Sequence, residues 1–117
     1  MNEDESSDVL NATHCEPCKN AISPLTPEQY EPLLTQLKSD WEVVEEKCLV
    51  KTFSFPDFQR AVDFVNRIAV EAEKEQHHPD IELSWGKVVV RLWTHKIGGL
   101  SRNDFILAAH IDALLSE

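Results

Sequence analysis

Apolar positions along this chain switch between helical and strand spacing, and the switches mark out its elements. Tyr30, Leu33, Leu34 and Leu37 recur at helical spacing behind Thr26-Pro27-Glu28-Gln29. Thr26 there suits an N-cap and Pro27 the first helical position. Pro32 falls within the first turns, and Ser39-Asp40 ends the helix. Trp41 to Val44 and Cys48 to Phe55 are rich in β-branched and aromatic residues and predict two strands, with Glu45-Glu46-Lys47 as the turn. Pro56 closes the second strand and Asp57 can cap the next helix. From Phe58 the set Ala61, Val62, Val65, Ile68, Ala69 and Ala72 keeps a three-four pattern, which predicts an amphipathic helix to about Gln76. Pro79 prevents much further extension, and Glu73 and His77 share a face if the helix persists through His77.

Ile81 to Trp85 alternates strictly, as a half-buried strand does. Gly86-Lys87 supplies a tight turn, and Val88 to Trp93 forms the partner strand with Val88, Val90 and Leu92 on one face. Gly98-Gly99 marks a loop. Ser101 is placed to cap a last helix carrying Phe105, Leu107, Ala108, Ile111, Leu114 and Leu115, with Asp104 at the capping-box position. The order α-β-β-α-β-β-α, with two hairpins each beside a helix, predicts an α+β two-layer sandwich. A four-stranded antiparallel sheet carries helices on one face. The absence of βαβ crossovers and of a glycine-rich phosphate loop excludes a Rossmann design.

Residues 1–24 are acidic, then polar, and broken by Pro17 and Pro24. They predict a partly disordered tail with a local knot around His14-Cys15-Glu16-Pro17-Cys18, ahead of a domain over 25–117. A length of 117 residues suits one domain with a modest core. The net charge of −10 argues against nucleic-acid partners and anionic membrane surfaces. No apolar run spans a bilayer, and the acidic start has no signal-peptide pattern, so a cytoplasmic location is expected. The odd set of Cys15, Cys18 and Cys48 argues against a disulfide framework, and Cys48 reads as a small core residue.

The candidate chemistry is a histidine constellation: Glu73, His77-His78-Pro79, His95 and Asp104, with Trp85 and Trp93 nearby in sequence. Histidine exchanges protons near neutral pH. An isolated pair at a helix end also serves the helix dipole. The hairpin that starts after His78 returns His95 close to its origin, which favours a shared site. Adjacent histidines do not readily converge on one ion, so no metal is expected there. His14-Cys15-Glu16-Pro17-Cys18 could be half a zinc site or a redox pair, but lacks a fourth ligand, and two reduced thiols is the simpler reading. Asp104 also suits a plain helix N-terminus, and the tryptophans suit sheet packing or a flat substrate.

Glu73-Lys-Glu-Gln-His77-His78-Pro79, then Trp85, Thr94-His95 and Gly99-Leu100-Ser101-Arg102-Asn103-Asp104-Phe105 together resemble the pterin-4a-carbinolamine dehydratase family, bacterial type, over about residues 25–116. The resemblance implies the same sandwich fold. It also implies dehydration of 4a-hydroxytetrahydrobiopterin to quinonoid dihydrobiopterin, in tetrahydrobiopterin recycling for aromatic amino acid hydroxylation. No metal or organic cofactor is implied. Partners would be the pterin substrate, further copies in a homodimer or homotetramer, and a functional link to phenylalanine hydroxylase. His77 and His78 would be the acid–base elements, with His95 close to the 4a-hydroxyl. Glu73 would bond the pterin edge or orient a histidine, Gln76, Trp93 and Thr94 would line or support the pocket, and Asp104 would orient His95 or support its loop.

Overall fold

A computed structural model describes residues 10, 12–15, 23–37 and 40–115. Helix α1 (Pro27–Leu37) is followed by strands β1 (Glu42–Val44) and β2 (Cys48–Ser54). Helix α2 (Phe58–Glu75), strands β3 (Asp80–Ser84) and β4 (Lys87–Leu92), a 3₁₀ turn (His95–Ile97) and helix α3 (Arg102–Leu114) follow among the described residues. The predicted α+β order holds, and element ends shift by a residue or so. The turn between β3 and β4 is Trp85-Gly86 rather than Gly86-Lys87, because Ser84 pairs with Lys87.

The sheet is antiparallel with strand order β1-β2-β4-β3. Register places Leu49 opposite Leu92 and Phe53 opposite Val88. Those residues, with Val90, form the buried apolar face, as their alternation requires. Ala61, Phe64, Ile68 and Ala72 of α2 and a nearly continuous buried run from Phe105 to Ile111 in α3 complete the core. Asp57 accepts from the Arg60 N–H at 2.8 Å, so the predicted cap of α2 is present. The three-residue turn joining β1 to β2 puts Glu45 and Glu46 at φ 54° and 61°, and the Lys47 N–H donates to the Val44 carbonyl at 3.0 Å.

Cys48 is half-buried at the start of β2 rather than fully in the core, since it pairs with Val44 near the end of a three-residue edge strand. Most of residues 1–24 lie outside the described residues, Cys18 among them. Of those described, Leu10 is completely buried in the main core. His14 and Cys15 both bond Glu75 at the end of α2, His14 through its side chain and Cys15 through its backbone N–H.

Candidate active site

The site forms where α2 ends. Gln76 takes a left-handed conformation, φ 55°, and its N–H still reaches the Ala72 carbonyl. That turn breaks the helix one residue before the histidines. His77 is therefore not on the helical face of Glu73, as an unbroken helix would have made it. The turn instead brings His78 to Glu73, with Nε2 2.7 Å from Oε2. Both side chains of that pair are exposed.

His77 swings inward. Its Nε2 lies 2.6 Å from Asp104 Oδ1, and Asp104 is fully buried. The resemblance implies that Asp104 orients His95 or supports its loop; the imidazole it meets is that of His77, and its other oxygen bonds Thr94 at the start of the His95 loop. As third residue of α3, Asp104 accepts through Oδ2 from the Ser101 N–H at 2.9 Å and the Thr94 hydroxyl at 2.8 Å. Its other oxygen is left facing α2, where His77 meets it. The capping box thus serves a second purpose: it immobilises a carboxylate that immobilises an imidazole. Thr94 and Ser101 also bond each other, hydroxyl to hydroxyl at 2.7 Å, so Thr94 supports Asp104 from a buried position.

His95 is placed by a short closed loop. Thr94 and Gly99 pair across it, with Thr94 N–H donating to the Gly99 carbonyl at 2.8 Å. Gly98 caps the 3₁₀ turn at φ 65°, a conformation that favours glycine, and a Cβ on Gly99 would come within 2.7 Å of Pro24. The exposed His95 ring packs against Trp93, with centroids 4.2 Å apart, and Trp93 donates from Nε1 to Asp80 at 3.2 Å.

A cavity of about 540 Å³ opens between the end of α2 and this loop. Its walls include Gln76, His77, His78, Trp93, Thr94 and His95, so six of the eight sequence-predicted residues converge on one space. Glu73 and Asp104 stand behind them, each holding one histidine. Trp85 is not part of it. It sits in the turn at the far end of the β3–β4 hairpin, 69% exposed. The volume falls in the range of pockets that hold small organic ligands. Sequence reasoning missed Cys15, Lys74, Glu75, Lys96 and Asn103 as wall residues. Burial pushes the Glu75 carboxyl up, but its bonds to His14 and to the Cys15 N–H more than offset this, leaving it below the ordinary carboxylate range.

Chemically the walls offer two carboxylate–imidazole pairs and a third imidazole. In both pairs Nε2 faces the carboxylate, which leaves Nδ1 of His77 and of His78 without a protein partner among the described residues. A ring held in this way presents a defined nitrogen to a ligand, to give or take a proton.

A profile of the family described as Pterin 4 alpha carbinolamine dehydratase matches residues 23–114. A protein of Rickettsia bellii (strain OSU 85-389) is 47% identical over 105 residues, 90% of this chain and 93% of its own length. One of Rubrobacter xylanophilus is 47% identical over 90% of this chain and 97% of its own. Both carry the name "Putative pterin-4-alpha-carbinolamine dehydratase". Among solved structures, a transcriptional coactivator/pterin dehydratase from Brucella melitensis superposes with a TM-score of 0.73 at 30% identity, covering 79% of this chain and 98% of that one. A pterin dehydratase-like RuBisCO assembly factor of the alpha-carboxysome shares the fold, with a TM-score of 0.56 at 22% identity over 67% of this chain and 92% of that one.

Proposed function

The chain belongs to the pterin-4a-carbinolamine dehydratase family, and from that premise we propose that its cavity dehydrates 4a-hydroxytetrahydrobiopterin to quinonoid dihydrobiopterin. The observation that carries this reading is the pair of imidazoles, each gripped at Nε2 by its own carboxylate, on the wall of one cavity.

The reaction eliminates water across C4a–N5. The C4a–O bond breaks, and the departing oxygen takes a proton from a general acid. N5 gives up its proton to a base, and its electron pair forms the C4a=N5 bond. Hydroxide is a poor leaving group, so protonation of the oxygen is where the protein contributes most. His77 and His78 are the acid–base elements, with His95 beside the 4a-hydroxyl. Asp104 and Glu73 fix the tautomers and orientations of the first two rings. Gln76, Trp93 and Thr94 shape the pocket around the flat bicycle. Acid–base catalysis of this kind supplies about 10²–10⁴-fold. What the elimination asks of the protein is proton transfer, which imidazoles can carry, so the reading needs no metal or organic cofactor.

The same reading places the enzyme in the cytoplasm, serving an aromatic amino acid hydroxylase such as phenylalanine hydroxylase. Assembly as a homodimer or homotetramer would cover the open edges at β1 and β3. No helix among the described residues is long and apolar enough to cross a membrane. The decisive experiment generates 4a-hydroxytetrahydropterin with a phenylalanine hydroxylase and follows its decay by ultraviolet absorbance. Acceleration by wild type that His78→Ala loses supports the proposal, and no acceleration by folded wild type refutes it.

A further inference from the structure

Behind the cavity wall lies a second cluster of ionisable groups that the dehydration does not use. His110 is a buried histidine in the otherwise apolar run of α3. Its Nε2 lies 2.8 Å from the Thr13 carbonyl oxygen, which can only accept, so Nε2 carries a proton. Its Nδ1 then points at carboxylates: Glu71 Oε2 at 2.5 Å and Glu75 Oε2 at 3.9 Å. Glu75 is itself buried, and its Oε2 also meets His14 Nδ1 at 2.7 Å. Two imidazole nitrogens and two carboxylates thus converge on one point from the N-terminal segment, α2 and α3.

We propose that His14, Glu75 and His110 bind a zinc-type divalent cation that staples the N-terminal segment to α2 and α3. The three donor atoms, two Nδ1 and one carboxylate oxygen, lie within 4.8 Å of one another. A tetrahedral zinc with bonds of about 2.0–2.2 Å needs donor atoms roughly 3.3–3.5 Å apart. Reaching that spacing takes an opening of about 0.6–0.8 Å between His14 and Glu75, a closure of about 0.4–0.6 Å between Glu75 and His110, and a closure of up to about 1.5 Å between the two imidazole nitrogens. His14 is free to adjust, since its side chain is 76% exposed. Two imidazoles and one carboxylate are a donor set zinc accepts, with Glu71 or water for a fourth position. The His110 Nε2–H to backbone carbonyl bond is the outer support that metal-binding histidines usually have.

Two described residues of the His14-Cys15-Glu16-Pro17-Cys18 motif take part in this site. Cys15 Sγ is turned toward the Asn103 carbonyl at 3.6 Å, while its backbone N–H donates to Glu75 Oε1 at 2.7 Å. In this motif the histidine is the ligand and the Cys15 backbone orients the carboxylate. Because Cys15 and Glu75 also line the cavity, an ion here would fix one wall of the pterin pocket without touching the reacting atoms.

The test is calorimetric titration of zinc sulfate into the full-length, tag-free, chelator-treated chain, with metal analysis after gel filtration. The expected result is one retained zinc per chain, weakened about tenfold or more by His14→Ala and abolished by Glu75→Gln, but kept by Cys15→Ser/Cys18→Ser. His14→Ala changes a side chain that is 76% exposed, and circular dichroism on each variant checks that it is folded. Cobalt substitution should give visible tetrahedral bands with no thiolate charge-transfer band. Failure of wild type to retain zinc would overturn the assignment. Loss of binding in the cysteine double variant, or retention unaffected by His14→Ala and Glu75→Gln, would overturn it as well. None of these outcomes depends on dehydratase activity.

Discussion

His77 Nε2 and Asp104 Oδ1 lie 2.6 Å apart, joining the end of one helix to the first turn of another across 27 residues. Asp104→Asn tests what that contact does. Asparagine can still accept from the Ser101 N–H, but presents an amide NH₂ to His77 and so favours the wrong tautomer. The expected outcome is a fall in kcat of about 10²-fold with KM nearly unchanged. Denaturation should show a loss of about 1–3 kcal/mol, since a buried network is disturbed. Steady-state kinetics and urea unfolding on the same preparation separate the two effects, and an unchanged kcat would remove His77 from the proton path.

Glu73→Gln should behave differently. The Glu73–His78 pair is open to water, with side chains 72% and 54% exposed. Exposed pairs contribute little to stability, so the unfolding midpoint should move by less than about 0.5 kcal/mol equivalent. The rate should still fall, by up to about tenfold, because the His78 ring loses its fixed tautomer. Equal stability losses in Glu73→Gln and Asp104→Asn would contradict the burial contrast on which both expectations rest.

How much was legible in the sequence depended on the range of the forces involved. The alternation of Val88, Val90 and Leu92 and the three-four pattern from Ala61 to Ala72 encode burial locally, and the strand and helix they predict are present. Ser101 and Asp104 were readable as a capping box, because that bond spans three residues. The partner of Asp104's second oxygen was not, since nothing local distinguishes His77 from His95. The left-handed turn at Gln76 was equally invisible, because a non-glycine residue gives no warning of it. Attachment of His14 to Glu75 joins residues 61 apart in sequence. One signal was available and unused: His110 interrupts the apolar run Phe105-Ile106-Leu107-Ala108-Ala109, and a histidine on a core face needs partners.

Cys48 should be a slow nucleophile. Burial pushes its thiol up, and the nearby Arg91 charge offsets this only in part. The thiolate is the reactive form, so native Cys48 in a Cys15→Ser/Cys18→Ser background should react with iodoacetamide at pH 8 several-fold more slowly than after unfolding. A folded-state pKa above the unfolded one contributes stability that is full below the ordinary thiol range and lost as pH rises through the folded value. Stability should therefore decline at alkaline pH in wild type and decline less in Cys48→Ala. Native and unfolded alkylation at equal rates would contradict the burial of this thiol.

Leu10→Ala is the sharpest test of the N-terminal segment. The sequence reads residues 1–24 as a tail, yet Leu10 is fully buried among the residues of the main core. A tail held only by polar contacts at the surface would tolerate truncation of one leucine with no measurable change. A leucine completely removed from water contributes its transfer free energy, and its loss leaves a cavity that the surroundings fill only partly. The expected cost is about 2–5 kcal/mol in urea unfolding, comparable to a leucine in α3. Leu107→Ala supplies that internal reference, since Leu107 is also completely buried. A cost for Leu10→Ala below about 0.5 kcal/mol beside a large one for Leu107→Ala would show the segment detached in solution. Similar costs for the two would make the segment a part of the folding unit, and would explain how His14 and Cys15 can hold the cavity wall at Glu75 against thermal motion.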